Sequence, residues 1–145
     1  RSIVGEFSEK AEANQLEMVV ECPQPPVEIY VDGRHLWRII DNLMGNICKY
    51  AQPGTRVYIT LEKFHGMVIM TFRNISKDRL KMTSEELFGR FVRGDSSRNT
   101  EGHGLGLSIA KSLTELMHGN LAVQMDGDLF KVILSFEEYQ EDKKQ

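Results

Sequence analysis

This 145-residue chain has few cysteines, no net excess of basic charge and no long apolar run. Two cysteines, Cys22 and Cys48, are too few for a disulfide framework or a four-cysteine zinc site, and a reducing compartment is the simpler reading. No run reaches the roughly 18 apolar residues of a membrane-spanning helix, and the first residues carry no signal-peptide pattern. A net charge of −3 provides no basic field for nucleic acid, so we expect no nucleic-acid partner.

The composition is that of an ordinary globular domain, with 41% hydrophobic and 27% charged residues. A chain of this length can bury a core without metals or disulfides. Because it begins with Arg1, we expect a piece of a longer protein. The predicted organisation is the end of an upstream helix or linker at 1–14, one domain at 15–137 and a charged tail at 138–145.

Hydrophobic periodicity and turn residues predict alternating helices and strands. The predicted helices cover 1–14, 32–50 with Asp32 as N-cap, 83–91, and 106–118 ending at Gly119. The predicted strands cover 16–22, 27–31, 55–64, 66–74, 120–126 and 129–136, with a tight turn at His65-Gly66. Residues 92–104 are polar and aperiodic and are interpreted as a mobile loop. The pattern predicts an α+β fold, a two-layer α/β sandwich whose mixed, mostly antiparallel sheet has helices on one face.

The helix at 32–50 carries an apolar stripe, Leu36, Ile40, Leu43 and Ile47, and a polar group beside it. Asn42, Asn46, Lys49 and Tyr50 are spaced i, i+4, i+7 and i+8, which collects them on one side. A solvated helix face would explain any one of these residues, but it less readily explains all four together. An amide oxygen suits Mg²⁺, an ammonium suits phosphate, and a phenol ring can stack on a base.

Three alternating glycines, Gly102, Gly104 and Gly106, precede the last predicted helix. Glycines there let backbone N–H groups approach a polyphosphate at a helix N-terminus, although close helix packing uses glycine as well. The segment is not a P-loop, a dinucleotide fingerprint or a serine/threonine kinase signature.

Three segments in order then resemble one family: N-L-x-x-N-x-x-K-Y, L-F-x-R-F-x-R-x-D and G-x-G-L-G-L-S-I-A-K. The resemblance, from about Leu16 to Phe136, is to the catalytic, ATP-binding domain of bacterial sensor histidine kinases, within the group that includes gyrase, Hsp90 and MutL. It implies the Bergerat-type ATP-binding fold, with ATP and Mg²⁺ as cofactors. It also implies transfer of the ATP γ-phosphate to a histidine on a separate dimerisation domain that this chain lacks.

The resemblance assigns roles to individual residues. Asn46 would ligate Mg²⁺, Asn42 would line the phosphate site, Lys49 would contact phosphate, and Tyr50 would pack on the base. Asn74 takes the position of the family aspartate that accepts from the adenine amino group, although the following family glycines are missing from "RNISKDRL".

The second and third segments complete the implied site. Phe88 and Phe91 would anchor a lid, and Arg93 would reach the phosphates. The glycine segment would contribute through its backbone: Gly102, Gly104, Leu105, Gly106 and Leu107. Asn42, Lys49 and Arg93 are the implied catalytic residues.

The resemblance also implies a cytoplasmic domain of a membrane-anchored bacterial protein, monomeric by itself. Its partners would be its own phosphoacceptor domain and a response regulator. The four histidines of the chain lack the family's phosphoacceptor context, so little turnover is expected from the chain alone. Two alternatives remain open: a degenerate nucleotide-binding module that signals without phosphoryl transfer, and a serine kinase of the anti-sigma-factor type.

Overall fold

The computed structural model describes residues 2–22, 31–78 and 103–138. Three helices and five strands lie in these ranges. In chain order they are α1 Ser2–Ala13, β1 Glu17–Glu21, α2 Gly33–Tyr50, β2 Arg56–Phe64, β3 Met67–Ile75, α3 His103–Leu116, β4 Asn120–Asp126 and β5 Leu129–Glu137. The predicted strand at 27–31, the helix at 83–91 and most of the 92–104 loop lie outside the described residues.

The strands form one sheet in the order β1-β2-β3-β5-β4. β1 pairs with β2 in parallel, and the other three pairings are antiparallel. Because paired residues share a face, one register row, Ile59, Phe72, Val132 and Val123, defines an apolar face. The next row, Tyr58, Arg73, Lys131 and Gln124, defines the opposite face. We call these the helix face and the open face.

The hydrophobic core lies between the helices and the helix face. Its buried members come from every layer, including Phe7 of α1, Ile39 and Leu43 of α2, Leu107 of α3 and Leu134 of β5. The predicted two-layer sandwich with a mixed, mostly antiparallel sheet is confirmed. Within the described ranges, no helix is long and apolar enough to cross a membrane.

α1 packs into this core, with Phe7 and Ala11 only 2% and 1% exposed. The helix ends where the Leu16 N–H donates to the Ala11 carbonyl, with Gln15 at φ 62°. This is a Schellman motif, in which a residue with left-handed backbone conformation ends the helix. The Gly54 N–H then donates to the Gln15 carbonyl, which ties α1 to the turn before β2. The boundary predicted after residue 14 stays a prediction.

α2 begins as predicted, because the Asp32 carboxylate accepts from the Arg34 N–H at 2.8 Å. This hydrogen bond lowers the pKa of Asp32. Of the predicted stripe, Leu43 and Ile47 are buried and Leu36 and Ile40 are partly buried. The buried positions that the stripe missed, Ile39 and Met44, show that the apolar surface wraps further around the helix.

The β2–β3 hairpin turns at His65-Gly66, with φ values of 51° and 79°, as predicted. Positive φ at both positions matches the right-handed twist of the paired strands.

The end of α3 differs from the prediction. His118, at φ 65°, is the left-handed residue, and the Gly119 N–H donates to the Thr114 carbonyl. Glycine is needed at 119 because the backbone packs closely against the Phe136 ring, and a Cβ there would lie 2.4 Å from that ring.

Candidate nucleotide-binding site

The polar edge of α2 lies next to its buried stripe, as the helical spacing predicts. Asn42 and Asn46 are half-buried, and Lys49 is exposed with its Nζ 5.6 Å from the centroid of the Tyr50 ring. The Nδ2 atom of Asn42 is buried and has no hydrogen-bond partner among the described residues. A buried amide group without a partner costs about 1–3 kcal/mol, so its retention favours a ligand at this edge.

Asn74 interrupts the apolar helix face at the end of β3. It lies on the same face of β3 as Met70 and Phe72, and it pairs in register with Phe130. Although its side chain is polar, it is only 4% exposed. Its Oδ1 atom is buried, and no group in the described part of the chain donates to it. A buried acceptor of this kind fits a ligand that donates, such as the exocyclic amino group of a nucleobase.

Backbone hydrogen bonds join the end of α2 to the end of β3. The Gln52 N–H donates to the Ile75 carbonyl at 2.8 Å, and the Lys77 N–H donates to the Tyr50 carbonyl at 3.0 Å. Tyr50 and Asn74 therefore belong to two segments that are held directly against each other. The tertiary fold brings together two predicted site regions that lie 24 residues apart in sequence.

The segment after β3 is where the sequence departs from the family pattern. Ser76 is 8% exposed, its N–H donates to the Asp128 carbonyl, and its Oγ accepts from the Asp78 N–H. These contacts fix the backbone that follows Asn74. Sequence reasoning missed Ser76, although a serine two residues before an aspartate is a recognisable turn signal.

α3 begins earlier than predicted, because the backbone is already helical at His103, Gly104 and Leu105. The burial of Leu107 and Ala110, at 1% and 0% exposure, anchors this first turn against the core. The first N–H groups of a helix have no intrahelical partner, so an anion can accept from them. The Leu107 side chain lies in the core, which leaves only its backbone for the predicted ligand contact.

The chemistry of the donor set fits a nucleotide with a divalent cation. Among the described residues, no three His, Cys, Asp or Glu side chains cluster to hold a metal. A half-buried amide such as Asn46 can supply one hard oxygen ligand to Mg²⁺, which commonly takes its other ligands from water and substrate phosphates. Arg93 and Gly102, with the lid anchors Phe88 and Phe91, lie outside the described residues.

Comparisons with known proteins identify the family and the fold to which the chain is similar. Residues 31–140 match the family model "Histidine kinase-, DNA gyrase B-, and HSP90-like ATPase". The chain is 34% identical over 134 residues to the sensor histidine kinase RppB of Synechocystis, covering 89% of this chain and 30% of RppB. It is 39% identical over 107 residues to the probable sensor protein PcoS of Escherichia coli, covering 71% of this chain and 23% of PcoS. The chain thus spans less than a third of these relatives.

Solved structures show the same fold. The catalytic domain of histidine kinase ThkA superposes with a TM-score of 0.79 at 20% identity, covering 95% of this chain and 89% of that one. Full-length ShkA, solved in complex with AMPPNP, gives a TM-score of 0.76 at 23% identity over 97% of this chain and 29% of that one. The predicted resemblance is confirmed. The chain belongs to the family of histidine kinase-, DNA gyrase B- and HSP90-like ATPases, and it is an ATP-binding domain of that family.

Proposed function

We propose that this chain is the catalytic domain of a sensor histidine kinase and that it binds Mg·ATP for transfer of the γ-phosphate to a histidine on a separate dimerisation domain. The observation that carries the proposal is the pair of buried, unpartnered amide atoms, Asn42 Nδ2 and Asn74 Oδ1, on the two segments held together at the α2–β3 junction. The sensor kinases that the chain resembles supply the reaction class.

Phosphoryl transfer asks a protein mainly for positioning and for neutralisation of charge. In this proposal Asn74 accepts from the adenine amino group, and Tyr50 packs on the base. Asn42 donates to the phosphates, and Lys49 adds a positive charge there. The N-terminus of α3, with Gly104 and Gly106, offers backbone N–H groups to the same anion.

The remaining parts of the site are a metal ion and two residues outside the described ranges. Asn46 would hold Mg²⁺, which supplies charge neutralisation when bound. Arg93 and the backbone of Gly102 would complete the phosphate contacts. An amide at Asn42 cannot accept a proton from water, so hydrolysis would be slow and the γ-phosphate would be kept for the protein acceptor.

The partners follow from the reaction. The domain would work with its own dimerisation and phosphoacceptor domain, and through it with a response regulator, as the cytoplasmic part of a membrane-anchored protein. By itself it would be monomeric and show little turnover.

The test is calorimetric titration with ADP and ATP, with and without Mg²⁺. Mg²⁺ should strengthen binding to the parent, and Asn46→Ala should remove most of that gain because the amide ligand is lost. Asn46→Asp can retain the metal. Asn120→Ala is the matched control, since Asn120 is exposed at the start of β4, which is an edge strand of the sheet. If Asn46→Ala binds Mg·ATP as tightly as the parent, the metal assignment is wrong.

A second candidate is a nucleotide-binding module that signals without phosphoryl transfer. The absence of a carboxylate and of glycine at 74–76 favours it, because the family's base-reading motif is altered there. Mixing the chain with the phosphoacceptor domain and γ-labelled ATP separates the two functions. Label on the acceptor histidine supports the kinase, whereas bound nucleotide with an unlabelled acceptor supports the module.

A further inference from the structure

The open face of the sheet holds a pocket that shares one lining residue, Asn74, with the proposed nucleotide site. It has a volume of about 230 Å³ and lies where β2, β3 and β5 meet. Its lining residues are Arg56, Tyr58, Arg73, Asn74, Ile75 and Leu129. Except for Asn74, these residues share the open face by register, so the sheet separates the pocket from the helices.

Within the described ranges, the positive charges of Arg73 and Lys131 have no matching negative charge. Arg73 lies directly opposite Lys131 across the β3–β5 pair, and like charges in that position destabilise a sheet. Among the described residues, neither side chain has a carboxylate within ion-pair distance. Arg56, by contrast, is paired, with its Nε 3.2 Å from the Glu17 carboxylate.

The Arg73 side chain is held in place, although its charge is not neutralised. Its guanidinium carbon lies 5.5 Å from the centroid of the Tyr58 ring. Its Nε atom is buried and, within the described ranges, has no hydrogen-bond partner. A guanidinium held over an aromatic ring presents its remaining N–H groups in a planar fork, which is suited to bidentate contact with a carboxylate.

The apolar part of the pocket narrows the class of ligand. Ile75 and Leu129 pair in register beside Arg73, and Ile75 is 37% exposed. An inorganic anion would leave this surface uncovered, whereas an organic acid would cover it. We propose that the open-face pocket binds an organic carboxylate, with its head group on Arg73 and its apolar body on Ile75 and Leu129.

The test is titration of the ¹⁵N-labelled chain with hexanoate, followed by amide chemical shifts. Saturable shifts are expected at 56–58, 73–75 and 129–131. Acetate should bind more weakly because it lacks the apolar body, and hexanol should give no saturable shift because it lacks the charge. Arg73→Gln should weaken hexanoate binding by about tenfold through loss of the charged contact.

Controls separate this pocket from general anion binding. Arg34→Gln removes an arginine that is 91% exposed at the start of α2, and it should titrate as the parent does. Lys131→Gln should weaken hexanoate binding a few-fold. Because it keeps Arg73, it tests the charge contribution even if the Arg73→Gln variant misfolds. Saturating Mg·ATP should leave hexanoate affinity unchanged. Equal binding of hexanol, parent-like titration of Arg73→Gln, or displacement of hexanoate by Mg·ATP would each overturn the proposal.

Discussion

The two faces of the sheet differ in burial and composition, and each carries an unfavourable placement at the end of β3. On the helix face, Met70 and Phe72 pack in the core beneath the helices, and then Asn74 places a buried polar group beside them. On the open face, polar and apolar residues are mixed, and there Arg73 lies opposite Lys131 with no acidic partner among the described residues.

Neighbouring residues of one strand therefore hold both exceptions. Each one lowers stability, through an unpartnered buried acceptor on the helix face and through repulsion on the open face. Local rules that fail together without a structural gain are typical of binding sites. The comparison predicts that the regular positions of the sheet are needed for stability and the exceptional ones for ligands.

The largest expected effect tests the regular positions. Leu134 is 0% exposed on the helix face, and the adjacent Ile133 is half-buried on the open face. Leu134→Ala should lower the free energy of unfolding by about 2–5 kcal/mol through lost burial and a cavity. Ile133→Ala is the matched control and should cost clearly less, as measured by urea unfolding. Equal losses would show that the two faces are packed alike.

Asn74→Val should separate stability from binding. Valine suits a strand and removes the unpartnered Oδ1, so the free energy of unfolding should stay constant or rise by about 1–2 kcal/mol. ATP binding should weaken at the same time. Thermal unfolding and calorimetry measure the two effects. A destabilised variant with parent-like ATP affinity would contradict a ligand role for Asn74.

Asn74→Asp should tighten ATP binding, by a few-fold at most. A charged acceptor contributes about 1 kcal/mol more than a neutral one, or about fivefold in affinity, and desolvation of the carboxylate takes part of this back. The variant should also discriminate more strongly against GTP, because the guanine carbonyl would face a carboxylate. Competition between ATP and GTP in both proteins measures this. If the parent already excludes GTP and the variant changes neither affinity, another group reads the base.

The smallest effect concerns the open face. Lys131→Glu replaces the repulsive pair with an Arg73–Glu pair and should stabilise the chain by about 0.2–1 kcal/mol. Chemical denaturation by urea at low and high salt measures it, and the gain should shrink as salt rises. Lys131→Gln distinguishes loss of repulsion from formation of the new pair. A destabilised Lys131→Glu variant would show that the Lys131 charge has a favourable contact.

Most elements in the described ranges could be predicted because their signals are local. The Asp32 cap, the His65-Gly66 turn and the hairpin of β4 and β5 each depend on a few neighbouring residues. The start of α3 was missed, because three glycines suggest a loop and the burial of Leu107 and Ala110, which anchors the helix, is a tertiary effect. The sequence predicts that α3 ends at Gly119, whereas the left-handed residue is His118. Gly119 is required by its contact with Phe136, which is distant in sequence and therefore not visible in the local pattern.

The sequence by itself determined the family and the polar edge of α2, because ordered motifs and helical spacing are written along the chain. Only the tertiary structure decided that Asn42 and Asn74 carry unpartnered buried atoms, and that Arg73 stands opposite Lys131. Burial and strand register join residues far apart in sequence, so a residue's hydrogen-bond and charge partners are known only when the sheet and the helices are assembled.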